Sequence, residues 1–231
     1  MIAELVRTPP PSTVRVVIFA GGELGDPEAV LDLLRKDDLV VAANGGTRHC
    51  RLLGLIPSVL VGDLDSANAA DLDHVERYGT TISRFPVHKD RTDLELALAY
   101  ACSLEPTDVL VFGAFGLRWD HTLANVLLLL HPDFAGTKIA LCDGQQTLQI
   151  VRDQLKLVGV PGDLLSLLPL SEEVRGVSAS GLEYTLRNRV LHRGTTLGVS
   201  NRFTGSRVEL KVRSGVVLVG HARVGERPRC G

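Results

Sequence analysis

Aromatic side chains are scarce in this sequence: Phe, Trp and Tyr make up 4% of 231 residues, against 45% for apolar residues as a whole. The core is therefore expected to be aliphatic, built from Val, Leu, Ile and Ala. An excess of charge of either sign is lacking too. The formal net charge is -2 and there is no long basic run, which argues against nucleic acid as a partner. The strongest apolar run, Leu123 to Leu130, stops before Pro132 and is far shorter than a bilayer span, so no membrane partner is expected. Cysteine is limited to Cys50, Cys102, Cys142 and Cys230, with no Cys-x-x-Cys pair. That spacing argues against a zinc site or a disulfide framework and fits a reducing cytoplasm. Residues 1–12 carry Glu4, Arg7 and Pro9-Pro10-Pro11 where a signal peptide has its apolar core, and they read as a loose tail.

What is present is a change of texture near residue 143. Before it, short apolar runs alternate with helical patterns. Strands are expected over Val14–Ala20, Leu39–Ala43, Val59–Val61, Thr80–Arg84, Val109–Phe112 and Lys138–Cys142. Helices are expected over Pro27–Arg35, up to about Leu53, over Ala69–Arg77, from Thr92 and over Arg118–Leu130. Thr92-Asp93-Leu94-Glu95 has the pattern of a capping box. Apolar strands that do not alternate, separated by helices, predict a doubly wound, mainly parallel α/β domain over residues 13–143. After it, helical periodicity is absent. Thr147–Val151, Asp163–Leu168, Val174–Ser180, Thr196–Ser200, Val208–Val212 and Val216–Val219 read as short strands. Ser214-Gly215 reads as a hairpin turn after Val208–Arg213. Residues 144–231 are therefore expected to form a small all-β sandwich.

The chemistry-bearing residues cluster by position. Gly21-Gly22, Asn44-Gly45-Gly46, Gly62-Asp63-Leu64-Asp65-Ser66 and Gly113-Ala114-Phe115-Gly116 each follow an expected strand. In an open parallel sheet those ends face one side, where ligands bind. Glycines admit a phosphate close to the backbone, and the helix N-termini that follow favour anions. Asp63 and Asp65 on the same edge, with Lys89-Asp90-Arg91-Thr92-Asp93 opening a helix, would repel phosphate unless a hard divalent cation lay between them. Taken singly, each motif also fits a bland role. Asp-x-Asp is often a solvated turn, Asp93 a favourable first-turn charge, Trp119 a packing residue and His121 a helix residue covering the core.

Together these motifs resemble the thiamine pyrophosphokinase family. Gly21-Gly22, Ala43-Asn44-Gly45-Gly46, Gly62 to Ser66, Lys89 to Asp93 and Gly113 to His121 followed by Asn125 carry the likeness. Gly181-Leu182-Glu183-Tyr184 and Ser200-Asn201 carry it more softly. The resemblance implies transfer of diphosphate from ATP to thiamine, giving AMP, in a Mg2+-dependent homodimer. It makes Asp63, Asp65 and Asp93 the metal ligands and sets Lys89 and Asp90 beside the triphosphate. The nucleotide side would comprise Gly21, Gly22, Asn44, Gly45, Gly46, Ser66, Thr92, Gly113, Gly116, Arg118, Asp120, His121 and Asn125. Ser200 and Asn201 would lie near thiamine. Two positions depart from the family pattern: Asn44 stands for an aspartate, and Leu117 for a common glycine. A diphosphotransferase for another alcohol, such as a hydroxymethyl pterin, and a non-catalytic nucleotide- or thiamine-binding relative are the alternatives.

Overall fold

The computed structural model describes residues 14–63, 77–84 and 90–224, with positions 70, 73 and 75. The chain divides into two compact units between Gly144 and Gln145.

In the first unit, β1 (Val16–Phe19), β2 (Leu39–Ala43), β3 (Val59–Gly62), β4 (Thr81–Arg84), β5 (Val109–Phe112) and β6 (Ile139–Cys142) form one parallel sheet. Their order is β6-β5-β1-β2-β3-β4. The register runs Val16 against Leu39 on one side and against Val109 on the other. Successive residues of β1 are all fully buried, which places apolar cover on both sheet faces and explains why its sequence does not alternate. Phe19 and Phe112 stack at 5.4 Å between centroids, so two of the few aromatics sit on the neighbouring central strands.

Arg15 enters this apolar run because it is held. Its guanidinium grips both Asp38 carboxylate oxygens at 2.6 and 2.7 Å and donates to Leu33 O at 2.7 Å. The hydrogen bond to Asp38 holds Arg15 above its usual pKa, against the effect of burial. That bond to Leu33 O and the Arg35 N bond to Asp38 also end α1 at Pro27–Leu31, short of the expected Arg35. After α2 (Thr47–Leu52), α3 (Asp93–Ser103) begins at Thr92, whose hydroxyl accepts from Glu95 N at 3.2 Å. It lays Leu94, Leu98 and Ala101 into the core. α4 covers Trp119–Leu128. Cys50, Cys102 and Cys142 are free thiols, and burial pushes Cys50 up to about 12, so it stays protonated.

The second unit holds two antiparallel four-stranded layers. One runs β12 (Asn201–Arg202), β9 (Leu164–Pro169), β14 (Val217–Ala222), β7 (Gln146–Val151). The other runs β11 (Leu186–His192), β10 (Glu173–Ser180), β13 (Arg207–Lys211), β8 (Gln154–Val158). Residues from both, among them Leu165, Leu167, Val217, Val177, Leu191 and Leu210, form one core. This is a sandwich. Three sequence expectations fail in this unit. Thr196 has no regular structure and Leu197–Ser200 is turn, not strand. β8, β11 and β12 were not anticipated. Ser214-Gly215 makes no hairpin, because β13 and β14 belong to different layers; the segment carries the chain across and bridges Arg175 on the way.

Candidate active site

The chain winds from β1 through β2 and β3 to β4, then returns to β5 on the other side of β1. The strand order therefore reverses between β1 and β5, and crevices form outside the carboxyl ends at such a point. A cavity of about 620 Å³ lies there. Its walls come from the loops after β1, β2 and β5, the start of α3 and the first turns of α4.

One end of the cavity is almost bare backbone. The loops after β1 and β5 are zipped together by Ala20 N to Phe112 O (2.8 Å), Gly22 N to Gly113 O (2.8 Å) and Glu23 N to Phe115 O (2.6 Å). Gly113 has φ +69, and a Cβ there would lie 2.2 Å from Ala20 O. Glycine is thus demanded by loop packing as well as by any ligand. Helix α4 pins the same loop: Thr122 Oγ1 accepts from Gly116 N at 3.2 Å, and Asn125 Nδ2 donates to Ala114 O at 2.8 Å. Opposite, Arg48 Nη2 donates to Gly21 O and Gly22 O at 2.8 and 2.7 Å, and the buried His49 ring lies 2.7 Å from Gly22 O.

The other end is polar. Asn44, buried and left-handed at φ 41, donates from Nδ2 to Asp63 Oδ1 at 2.8 Å and to Asp93 Oδ2 at 3.0 Å. Asp63 follows β3 and Asp93 opens α3. Three elements far apart in sequence thus place two carboxylates around one nitrogen. At the rim, Arg118 and Asp120 form an exposed pair at 2.6 Å. The hydrogen bond from Arg118 holds Asp120 below its usual range and the same bond raises Arg118.

Of the residues expected from sequence, Gly21, Gly22, Asn44, Gly45, Thr92, Asp93, Gly113, Gly116, Arg118, His121 and Asn125 line the cavity. Gly46 is buried behind it, where a Cβ would collide with Phe19 O. Asp63 joins through Asn44, and Asp120 through Arg118. Asp90 lies in an exposed bend and is not in the cavity wall. Asp65, Ser66 and Lys89 lie outside the described residues. Sequence reasoning passed over Arg48, although it stands two residues after Gly46 on the same edge as the other motifs. It also read Trp119 as packing. Trp119 is 84% exposed, and with Leu123 and Leu127 it forms an outward apolar stripe along α4, because positions four apart share a helix face.

In the sandwich, Asn201 is buried and its amide is committed to the backbone: Oδ1 accepts from Tyr184 N (3.0 Å) and Arg202 N (2.9 Å), and Nδ2 donates to Tyr184 O (2.7 Å). Ser200, at φ 59, donates from its backbone N to Ser166 Oγ. Beside them an apolar cleft of about 220 Å³ is lined by Leu167, Leu182, Tyr184, Leu197 and Val199.

Comparison with known proteins places these two sites in context. Residues 30–141 match the family model "Thiamin pyrophosphokinase, catalytic domain", and residues 147–217 match "Thiamin pyrophosphokinase, vitamin B1 binding domain". The thiamine pyrophosphokinase of Bacillus subtilis is 30% identical over 87% of this chain and 95% of that protein. The crystal structure of thiamine pyrophosphokinase from Bacillus subtilis superposes with a TM-score of 0.81 at 27% identity, covering 91% of this chain and 99% of the other. That of thiamin pyrophosphokinase from Geobacillus thermodenitrificans gives 0.79 at 26%, covering 93% and 99%.

Proposed function

Because this chain belongs to the thiamin pyrophosphokinase family, it is an enzyme that transfers diphosphate from ATP to thiamine, and we propose that the switch-point cavity of the α/β unit is where the transfer takes place. The observation that carries this reading is the pairing, in one cavity, of a glycine-lined backbone end with a carboxylate end. Polyphosphate needs the first, and a phosphate-bound divalent cation needs the second.

In the reaction the thiamine hydroxyl oxygen forms a bond to the β-phosphorus of ATP. The bond from that phosphorus to the α-phosphate bridging oxygen breaks, AMP leaves with the electron pair, and the hydroxyl proton is lost. This demands in-line positioning and neutralisation of charge on the bridging oxygens. The glycines of the loops after β1 and β5 let the phosphates approach the backbone closely. Arg48 and Arg118 bring positive charge to the wall and rim of the cavity, and Lys89 adds another. Asp90, in its exposed bend outside the cavity wall, meets the triphosphate only where it leaves the cavity, and an Asp93 or Asp65 oxygen that the ion leaves free is the candidate to take the hydroxyl proton. Ser200 and Asn201 serve the thiamine side. Asn201 acts there through Tyr184, whose backbone it fixes on both sides.

The donor set fits Mg2+. Among the described residues no group of three or more His, Cys, Asp or Glu side chains converges, but Mg2+ is held by one or two carboxylates plus water and substrate phosphates. Asp63 and Asp93, both within 3.0 Å of one nitrogen, are hard oxygen donors close enough to share an ion, and Asp65 is the third. Such an ion supplies charge neutralisation on the phosphates. A homodimer is supported by the exposed apolar stripe of α4, the kind of surface that partners cover. No described helix is long and apolar enough to cross a membrane, which is consistent with a cytoplasmic site of action.

Incubation with ATP, Mg2+ and either thiamine or a hydroxymethyl pterin, followed by chromatography, tests this function. AMP and thiamine diphosphate should appear in equal amounts, with no AMP released in the presence of the pterin. ADP in place of AMP, or AMP only with the pterin, would overturn it.

A further inference from the structure

Asn44 sits at the point where the acidic end is assembled. Its amide faces two carboxylates, and this fixes which way the group is turned: a carbonyl oxygen there would repel both, whereas an NH2 offers one N–H to each. The observed distances of 2.8 and 3.0 Å are those of two ordinary hydrogen bonds. The surroundings are built for that contact. Gly62 leaves the room, since a Cβ there would lie 2.9 Å from the Asn44 Cβ and 3.2 Å from Asp93 Oδ1. Asn44 adopts φ 41, a conformation that asparagine tolerates far better than most residues. The residue is 5% exposed, so its amide is withdrawn from bulk water, while the Asp63 and Asp93 carboxylates it holds are half-buried at the cavity wall.

Two half-buried carboxylates brought together repel unless a cation or donors lie between them. We propose that Asn44 is a positioning residue that takes the place of the bridging cation while none is bound: it draws Asp63 and Asp93 to one point before the divalent ion and the nucleotide arrive. An aspartate at this position could only accept hydrogen bonds at neutral pH, and it would put three carboxylates around the same point. The acidic end would then depend on the ion for its assembly. With asparagine the geometry comes from the fold, and the ion joins a pair already in place. This inference rests on the reading of the cavity as a cation–phosphate site, but its test needs neither substrate nor turnover.

The test is thermal unfolding of the full chain in EDTA and across a Mg2+ titration, for wild type, Asn44→Asp and the exchanged pair Asn44→Asp/Asp63→Asn. In EDTA the Asn44→Asp variant should unfold about 5 °C or more below wild type. Mg2+ should restore much of that difference, so its Mg2+-induced shift exceeds that of wild type. The exchanged pair, with one amide again among the carboxylates, should regain most of the loss in EDTA. Equal stability of Asn44→Asp and wild type in EDTA, or an exchanged pair no better than the single variant, would overturn the proposal. If Asn44→Asp does not fold in EDTA, the exchanged pair decides alone, by folding or failing to fold there. Absence of AMP formation by wild type would count against the functional reading and leave the EDTA comparison standing.

Discussion

Each unit of this protein gathers hydrogen-bond donors around carboxylates, one fully buried and the other two half-buried, and the two units do so differently. In the sandwich, Asp163 is fully buried and bound by groups that the fold fixes: Val160 N at 3.0 Å, Val224 N at 3.1 Å and the His221 ring nitrogen at 3.1 Å. Phe203 stacks on that ring at 5.0 Å between centroids. Burial pushes the Asp163 carboxyl up, but the two backbone donors and His221 outweigh it, and the group sits below its usual range. In the α/β unit, Asp63 and Asp93 meet at a side-chain amide on the wall of a cavity. Backbone donors cannot be exchanged for a ligand, whereas a side-chain donor beside an open cavity can share its work with an ion. The first arrangement serves the fold, and the second has the form the proposed cation site requires.

The most damaging change should be Asp163→Asn, which puts an amide NH2 where a fully buried carboxylate accepts from Val160 N, Val224 N and His221, and leaves His221 without its carboxylate. Denaturant unfolding should show a loss of about 3 kcal/mol, with kcat per folded molecule little changed. Asp63→Asn should do the reverse. Turnover at fixed Mg2+ should fall at least about 100-fold, while the midpoint of thermal unfolding in EDTA stays within about 3 °C of wild type. Near-normal turnover at limiting Mg2+ would remove Asp63 from the ion site. Acid sharpens the contrast further. Because the folded-state pKa of Asp163 is lowered, its stabilisation is present above the unfolded value of about 3.9 and is lost as pH falls through the folded value. Wild type should therefore lose stability more steeply below about pH 4 than Asp163→Asn does, as read by denaturant midpoints. The smallest effect is expected at the mouth of the acidic end. Thr92→Ala removes the cap of α3 and should cost about 1 kcal/mol of stability, with a smaller loss of turnover through the position of Asp93.

Much of this arrangement was legible in the sequence. Apolar runs located β2 at Leu39–Ala43 and β5 at Val109–Phe112 to the residue, because central parallel strands are buried on both faces and carry little else. The capping pattern at Thr92 held for the same local reason. Of the strands that escaped, β12 is only two residues long, and β8 and β11 are the two edges of one sandwich layer. β8 is five residues long with Val158 turned outward, and β11 exposes Arg187, Asn188, Arg189 and Val190 in succession, so neither shows a clean apolar–polar alternation over its length. Ser214-Gly215 has the chemistry of a hairpin turn, but turn chemistry says nothing about which layer the next strand joins.

The site was legible as a sheet edge, since topology alone brings the segments after β1, β2, β3 and β5 to one side. Its internal bonding was not. That Asn44 joins Asp63 to Asp93, across 19 and 49 residues of sequence, follows from the packing of three elements. Arg48 escaped because an arginine in a short helix most often faces solvent; α2 carries two, Arg48 and Arg51, and only the loop carbonyls of Gly21 and Gly22 distinguish the first.

A crystal structure with a non-hydrolysable ATP analogue, Mg2+ and thiamine tests the central claim most directly. The account predicts the triphosphate against the loops after β1 and β5, with one Mg2+ held by the carboxylates of Asp63 and Asp93. Phosphates bound away from those loops, or a Mg2+ that touches neither carboxylate, would contradict it.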